Sequence, residues 1–139
     1  MYYSIDPALP NQARVRDAIE HWETATCFRF VESTDETDFV TFRPGDGCRS
    51  SVGRKGGEQY VTLSPGCSTG NTIHEIGHAV GLWHEQMRAD RDIHLLVYWD
   101  NIQKGKGHNF KTYVEQGKDG LDQITRRQAV DAAAQEVNA

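Results

Sequence analysis

No run of apolar residues in this chain approaches the roughly 20 that a helix needs to cross a bilayer, so no membrane role is expected. Basic residues are also in short supply: 15 Lys and Arg stand against 20 Asp and Glu, for a net charge of −5. No cluster of them builds the positive face that phosphate binding requires, so nucleic acid is not an expected partner. The opening Met1-Tyr2-Tyr3-Ser4-Ile5-Asp6 has neither a basic leader nor an apolar core, and no signal peptide is read there. Gly45, Gly47, Gly53, Gly56 and Gly57 lack the G-x-x-x-x-G-K-[ST] arrangement, so they are not read as a phosphate cradle. Cysteine is sparse and odd in number, with Cys27, Cys48 and Cys67 only. An odd count leaves at least one thiol unpaired within the chain. The 139 residues suffice for one domain that buries about two thirds of its unfolded surface, and a monomer is expected.

What the sequence does have is His74-Glu75-Ile76-Gly77-His78-Ala79-Val80-Gly81-Leu82-Trp83-His84, an H-E-x-x-H-x-x-G-x-x-H string. On a helix His74 and His78 share one face, about 6 Å apart along the axis, and both imidazoles can reach one Zn²⁺. Glu75 follows the first histidine, where its carboxylate can serve a water without ligating the metal. His84 is the third candidate ligand only if the helix ends before it, since a continued helix would carry it about 9 Å past His78. Gly81 supplies the break, because glycine enters the left-handed conformation at little steric cost. Three protein ligands leave a fourth position open, the mark of a catalytic rather than a structural site. The plainer alternative is a stable helix whose histidines face solvent; Ile73, Ile76 and Val80 give the helix a buried side in either case.

Beyond the string, His84-Glu85-Gln86-Met87-Arg88-Ala89-Asp90-Arg91-Asp92 is similar to the H-E-Q-x-R-x-D-R-D continuation of the astacin family of metzincin zinc endopeptidases. Cys48 to Gly57, Trp99-Asp100-Asn101-Ile102 and His108-Asn109-Phe110 resemble the same family, over about residues 1 to 118. The resemblance implies a secreted zinc endopeptidase acting on polypeptides, with a zincin-like α+β metalloprotease fold, a mixed sheet and an active-site helix. It assigns His74, His78 and His84 as zinc ligands, one catalytic Zn²⁺ as cofactor, and Glu75 as general base. It pairs Cys48 with Cys67 and leaves Cys27 without the partner its counterpart has; reduced thiols in all three positions are the alternative. It also gives the glutamate at Glu85 a structural role, paired with the amino terminus. The Gly-rich loop and its edge strand would line the upper side of a cleft, where a substrate peptide adds as an extra strand. Arg54 and Lys55 would then favour acidic residues near the scissile bond, unless they are simply solvated.

Along the chain, Tyr2 to Ile5 reads as a strand, and Asn11 as the cap of a helix running to about Thr26 with Val15, Ala18, Ile19 and Trp22 on one face. His21 falls off that stripe and reads as a surface residue. Phe28 to Val31, Phe39 to Arg43 and Gln59 to Leu63 read as strands from their β-branched and aromatic content. The active-site helix is expected over Asn71 to Val80, a short apolar strand over Leu95 to Trp99, and a turn over Gly105 to His108. His94 and His108 lack metal spacing, and packing is the expected role of Tyr60, Tyr98 and Tyr113.

The tail departs from the family. The S-x-M-H-Y stretch expected after Gly117 to Asp122 is absent, and the only methionines are Met1 and Met87. Residues 119–139 read instead as an Ala-rich amphipathic helix with Ile124, Val130, Ala133, Ala134 and Val137 on its apolar side. The expected organisation is therefore a catalytic domain over 1–118 with an incomplete C-terminal subdomain, and a divergent or unrelated tail over 119–139. Two functions follow: hydrolysis by a Glu-activated water at zinc, or zinc and peptide binding without hydrolysis. A zinc aminopeptidase fits less well, because those enzymes generally take a distant glutamate as third ligand and His84 already holds that place.

Overall fold

A computed structural model describes residues 1–118, which divide into two compact units, Met1–Leu82 and a second that begins at Trp83. The first unit holds the strands and α-helices of the described residues. In chain order these are β1 (Tyr2–Ile5), α1 (Ala13–Ala25), β2 (Val31–Glu32), β3 (Phe39–Pro44), β4 (Cys48–Ser50), β5 (Glu58–Leu63) and α2 (Thr69–Val80). The strands form one sheet in the order β2-β1-β3-β5-β4; β4 runs antiparallel to β5 and the other pairings are parallel. The α+β class with a mixed sheet is as expected.

Strand periodicity sorts the side chains. Val40 and Phe42 of β3 and Val61 and Leu63 of β5 are fully buried, in one cluster with Val15, Ala18 and Ile19 of α1 and Ile76 and Ala79 of α2. Phe42 lies directly beside Val61 in the parallel register. Burying a side chain of this size contributes about 2 kcal/mol. The opposite sheet face is polar: Thr41 donates to Glu58 (2.6 Å), and the Arg43 guanidinium lies 3.6 Å over the Tyr60 ring.

The expected cap of α1 is displaced by one residue. Asn11 has φ 51°, a left-handed conformation that asparagine tolerates better than most residues, and Gln12 is the N-cap without a side-chain bond. The predicted stripe of α1 is buried as expected, though Trp22 only partly. Trp22 donates to the Ile73 carbonyl of α2 at 3.0 Å. Arg14 is buried too, its guanidinium donating to the carbonyls of Ser64 (2.8 Å), Cys67 (2.5 Å) and Pro10 (3.2 Å). A buried cation is tolerable when so many carbonyl dipoles face it, and here it ties α1 to the loop that delivers α2.

The strand predicted over Phe28 to Val31 is confined to Val31–Glu32. Phe28 and Phe30 give their amides to the Thr26 hydroxyl (3.1 Å) and the Glu23 carboxylate (2.8 Å), so those groups are not available to a ladder. Conversely, β4 forms inside the stretch that its glycines mark as a loop. It is pinned by a disulfide from Cys48 to Cys67, and Cys27 is left as an exposed free thiol.

Helix α2 starts two residues ahead of the expected Asn71 because Ser68 caps it. The Ser68 hydroxyl accepts from the Asn71 amide (3.2 Å), and the Asn71 side chain accepts from the Ser68 amide (2.9 Å), a reciprocal box. It ends as predicted at Gly81, with φ 114° and ψ 6°. The Leu82 amide returns to the Gly77 carbonyl and the Gly81 amide to the His78 carbonyl, both at 2.9 Å, which closes a Schellman motif.

The second unit, described from Trp83 to residue 118, is built from short 3₁₀ turns at Glu85–Met87, Arg91–Ile93, Trp99–Asn101 and Gly107–Phe110. Buried Arg91 donates to the carbonyls of Gln86 (3.0 Å) and Phe110. The strand predicted over Leu95 to Trp99 does not form. The amides of Ile93, His94 and Leu95 are committed to turn carbonyls at Asp90 and Arg91, and those of Asn101 and Ile102 to Tyr98 and Trp99. The helix predicted over 119–139 lies outside the described residues. Among the described residues no helix is long and apolar enough to cross a membrane.

Gly81→Ala places a Cβ on a backbone at φ 114°, at a cost of about 1–2 kcal/mol. A loss of roughly 5–10 °C in melting temperature is expected by calorimetry. Removing the Cys48–Cys67 bridge by double Ser substitution should cost about 3 kcal/mol in urea unfolding. Cys27→Ser, at an exposed thiol, should cost less than about 0.5 kcal/mol.

Candidate metal centre

Helix α2 carries His74 and Glu75 on one turn and His78 on the next, and its rigidity sets their spacing. The two imidazoles meet edge to face, with centroids 4.5 Å apart and planes at 80°. His74 is exposed and His78 buried. Nδ1 of His78 lies 2.8 Å from the Leu82 carbonyl. A carbonyl only accepts, so Nδ1 carries the proton and the lone pair of Nε2 is left to face a ligand. The turn at Gly81 is what presents that carbonyl. The His78 carbonyl in turn accepts from the Gly53 amide at 2.8 Å, which ties the Gly-rich loop to the helix.

His84 follows the helix end in extended backbone, with φ −70° and ψ 122°. One ligand nitrogen from each of His74, His78 and His84 lies within 4.8 Å of the others. Such an all-imidazole set suits zinc and its neighbours in the transition series rather than a hard cation such as calcium. Glu75 is 5% exposed, and its Oε2 is buried with no hydrogen-bond partner among the described residues. Burial pushes the Glu75 carboxyl above the ordinary carboxylate range, against the opposing pull of His78, His74 and the Ser50 backbone N–H. A buried carboxylate oxygen with nothing to bond, beside three converging imidazoles, fits a centre that takes a metal and a water.

The four residues singled out from the sequence are thus brought together, Glu75 by its place between the helical histidines. The other expectations have separate outcomes. Arg54 is engaged locally, donating to Gln59 (2.8 Å) and paired with Asp38 (3.8 Å). Glu85 is paired with Arg88 at 3.5 Å. His21, His94 and His108 are exposed; the ring of His108 bonds the Gly105 carbonyl at 3.0 Å. Tyr60 and Tyr98 are exposed, but Tyr113 is buried, and its hydroxyl accepts a bond from the His84 amide at 3.0 Å. Packing alone, the expected role for Tyr113, is therefore incomplete. No spacing signals this contact, because 29 residues separate the partners.

The model of the Astacin peptidase family matches residues 1–125. The chain is 41% identical over 121 residues to blastula protease 10 of Paracentrotus lividus, covering 80% of this chain and 20% of that protein. It is 42% identical over 112 residues to astacin-like metalloprotease toxin 1 of Loxosceles intermedia, covering 78% of this chain and 42% of the toxin. The chain thus spans less than half the length of either relative. Among solved structures it is similar to high choriolytic enzyme 1, a hatching enzyme zinc-protease from the medaka fish Oryzias latipes. The TM-score is 0.72 at 35% identity, over 81% of this chain and 58% of that one. From the motif around His74, the fold and these matches together, the chain belongs to the astacin family of peptidases.

Proposed function

We propose that this chain is a zinc-dependent endopeptidase in which His74, His78 and His84 hold one Zn²⁺ and Glu75 is the general base. The observation that carries the reading is the convergence of the three imidazoles beside the buried, unbonded Oε2 of Glu75. Zinc bound there supplies Lewis acidity towards a substrate carbonyl and lowers the pKa of water towards neutrality.

Glu75 takes a proton from the attacking water as its oxygen adds to the scissile carbonyl carbon. As the C–N bond breaks, the same carboxyl passes that proton to the leaving amine nitrogen. Burial suits Glu75 to this exchange, since a raised pKa narrows the gap between its acid and base forms near neutral pH. His78 keeps its donor nitrogen aimed through the Leu82 carbonyl.

The polypeptide substrate binds extended along β4. Among the described residues that strand is an edge of the sheet, hydrogen-bonded on one side only to β5, and its last residue, Ser50, sets its amide against the Glu75 carboxyl. An added peptide strand would draw its main-chain bonds from β4 and lead its carbonyls past Glu75. The protein acts as a secreted monomer, with neither nucleic acid nor membrane as partner. A Cys48–Cys67 disulfide accords with an oxidising compartment.

The test pairs elemental analysis with cleavage of a fluorogenic peptide by the full 139-residue chain. One zinc per chain and hydrolysis are expected. Glu75→Gln should keep the zinc and lower kcat/KM by about 10²–10⁴-fold. Cleavage that survives Glu75→Gln would overturn the assignment of the base. Zinc and peptide binding without any cleavage would favour the non-hydrolytic role instead.

A further inference from the structure

Two of the three proposed ligands are carried by α2, and the helix fixes where they stand. The third is not. His84 lies past the Gly81 turn in extended backbone, outside the hydrogen-bond ladder of α2. Its backbone is held at both polar groups: the carbonyl accepts from the Met87 amide at 3.0 Å, and the amide donates to the Tyr113 hydroxyl at 3.0 Å. The first is a local turn. The second reaches across 29 residues of sequence to a side chain that is itself tightly held.

Tyr113 is 5% exposed. Its amide donates to the Met87 carbonyl at 2.7 Å, so Met87 connects to His84 and to Tyr113 alike. Its ring meets Trp83, the residue before His84, edge to face at 4.2 Å. The Lys118 ammonium lies over both rings, 4.8 Å from Trp83 and 5.1 Å from Tyr113, and the Lys118 amide donates to the Tyr113 carbonyl at 2.8 Å. The hydroxyl is thus the tip of a fixed strut aimed at the backbone of the ligand residue.

We infer that Tyr113 is a positioning residue for the third metal ligand: through its hydroxyl it fixes the backbone of His84, and so sets how tightly a transition-metal dication is held. The inference rests on the zinc reading above and adds to it a residue outside the H-E-x-x-H-x-x-G-x-x-H string. The physical reason is preorganisation. A ligand on irregular backbone must be ordered when the ion binds unless something has ordered it beforehand, and partners that orient ligands typically govern about 10–100-fold in metal affinity. A tyrosine suits the task because its ring can be packed rigidly while its oxygen accepts from an amide.

Tyr113→Phe removes the acceptor and keeps the ring. Zinc affinity of the full chain is to be measured by chelator competition, beside the visible absorption spectrum of the cobalt-loaded protein and the melting temperature without metal. Zinc binding about tenfold weaker or more is expected, with a changed cobalt spectrum, while Tyr98→Phe, at an exposed tyrosine, leaves both as they were. A Tyr113→Phe chain that loses melting temperature but binds zinc as tightly, with the same cobalt spectrum, would overturn the inference and leave the zinc reading standing. An unsubstituted chain that binds no zinc would overturn both. If Tyr113→Phe does not fold, hydrogen exchange of the His84 amide in the unsubstituted protein decides. Protection supports the strut, and exchange at the rate of an open amide refutes it.

Discussion

The left-handed turn at Gly81 is the constraint on which the centre depends. A helix can place two histidines on one face, but its regular rise carries a third away from them. At φ 114° the chain leaves the helix abruptly, and the two returning bonds from Gly81 and Leu82 satisfy carbonyls that the helix end would otherwise strand. The same turn aims the Leu82 carbonyl at His78, so a single backbone event ends the helix, orients one imidazole and starts the chain towards another. Replacing that glycine would disturb helix termination and histidine orientation together, since one conformation serves both.

The helix itself is positioned from outside the motif. Arg14 reaches from α1 to the carbonyls at Ser64 and Cys67, the disulfide holds Cys67 to the edge strand, and Ser68 caps the first turn. These features crowd into the few residues before α2, where a small shift would move His74 and Glu75 bodily. Glu75 benefits from the same packing. It stands on the buried side of the helix, and the burial that raises its pKa is produced by the core rather than by any neighbouring acid.

Much of this was legible in the sequence, and the misses share a cause. The string from His74 to His84 announced its own geometry because helical spacing is local. β3 and β5 were readable from their β-branched and aromatic content, and Gly81 because few other residues take such a φ. Asn11 was misread as a cap because capping and left-handed turns favour the same residue type. Phe28 to Phe30 and Leu95 to Trp99 had the composition of strands, but their neighbouring amides found acceptors in side chains and turns, and composition does not say where hydrogen bonds go. Strand β4 was hidden in a Gly-rich stretch and exists through its pairing with β5 and a disulfide. The contact of Tyr113 with His84 could not be read at all, because nothing local records a bond across 29 residues.

Zinc-edge X-ray absorption on the zinc-loaded 139-residue chain most directly tests the three-histidine centre. Three imidazole nitrogens at about 2.0–2.1 Å with one further light donor are expected, the signature of a site with an open position. A sulfur scatterer at about 2.3 Å, as the exposed thiol of Cys27 would give, or only two imidazoles, would contradict it.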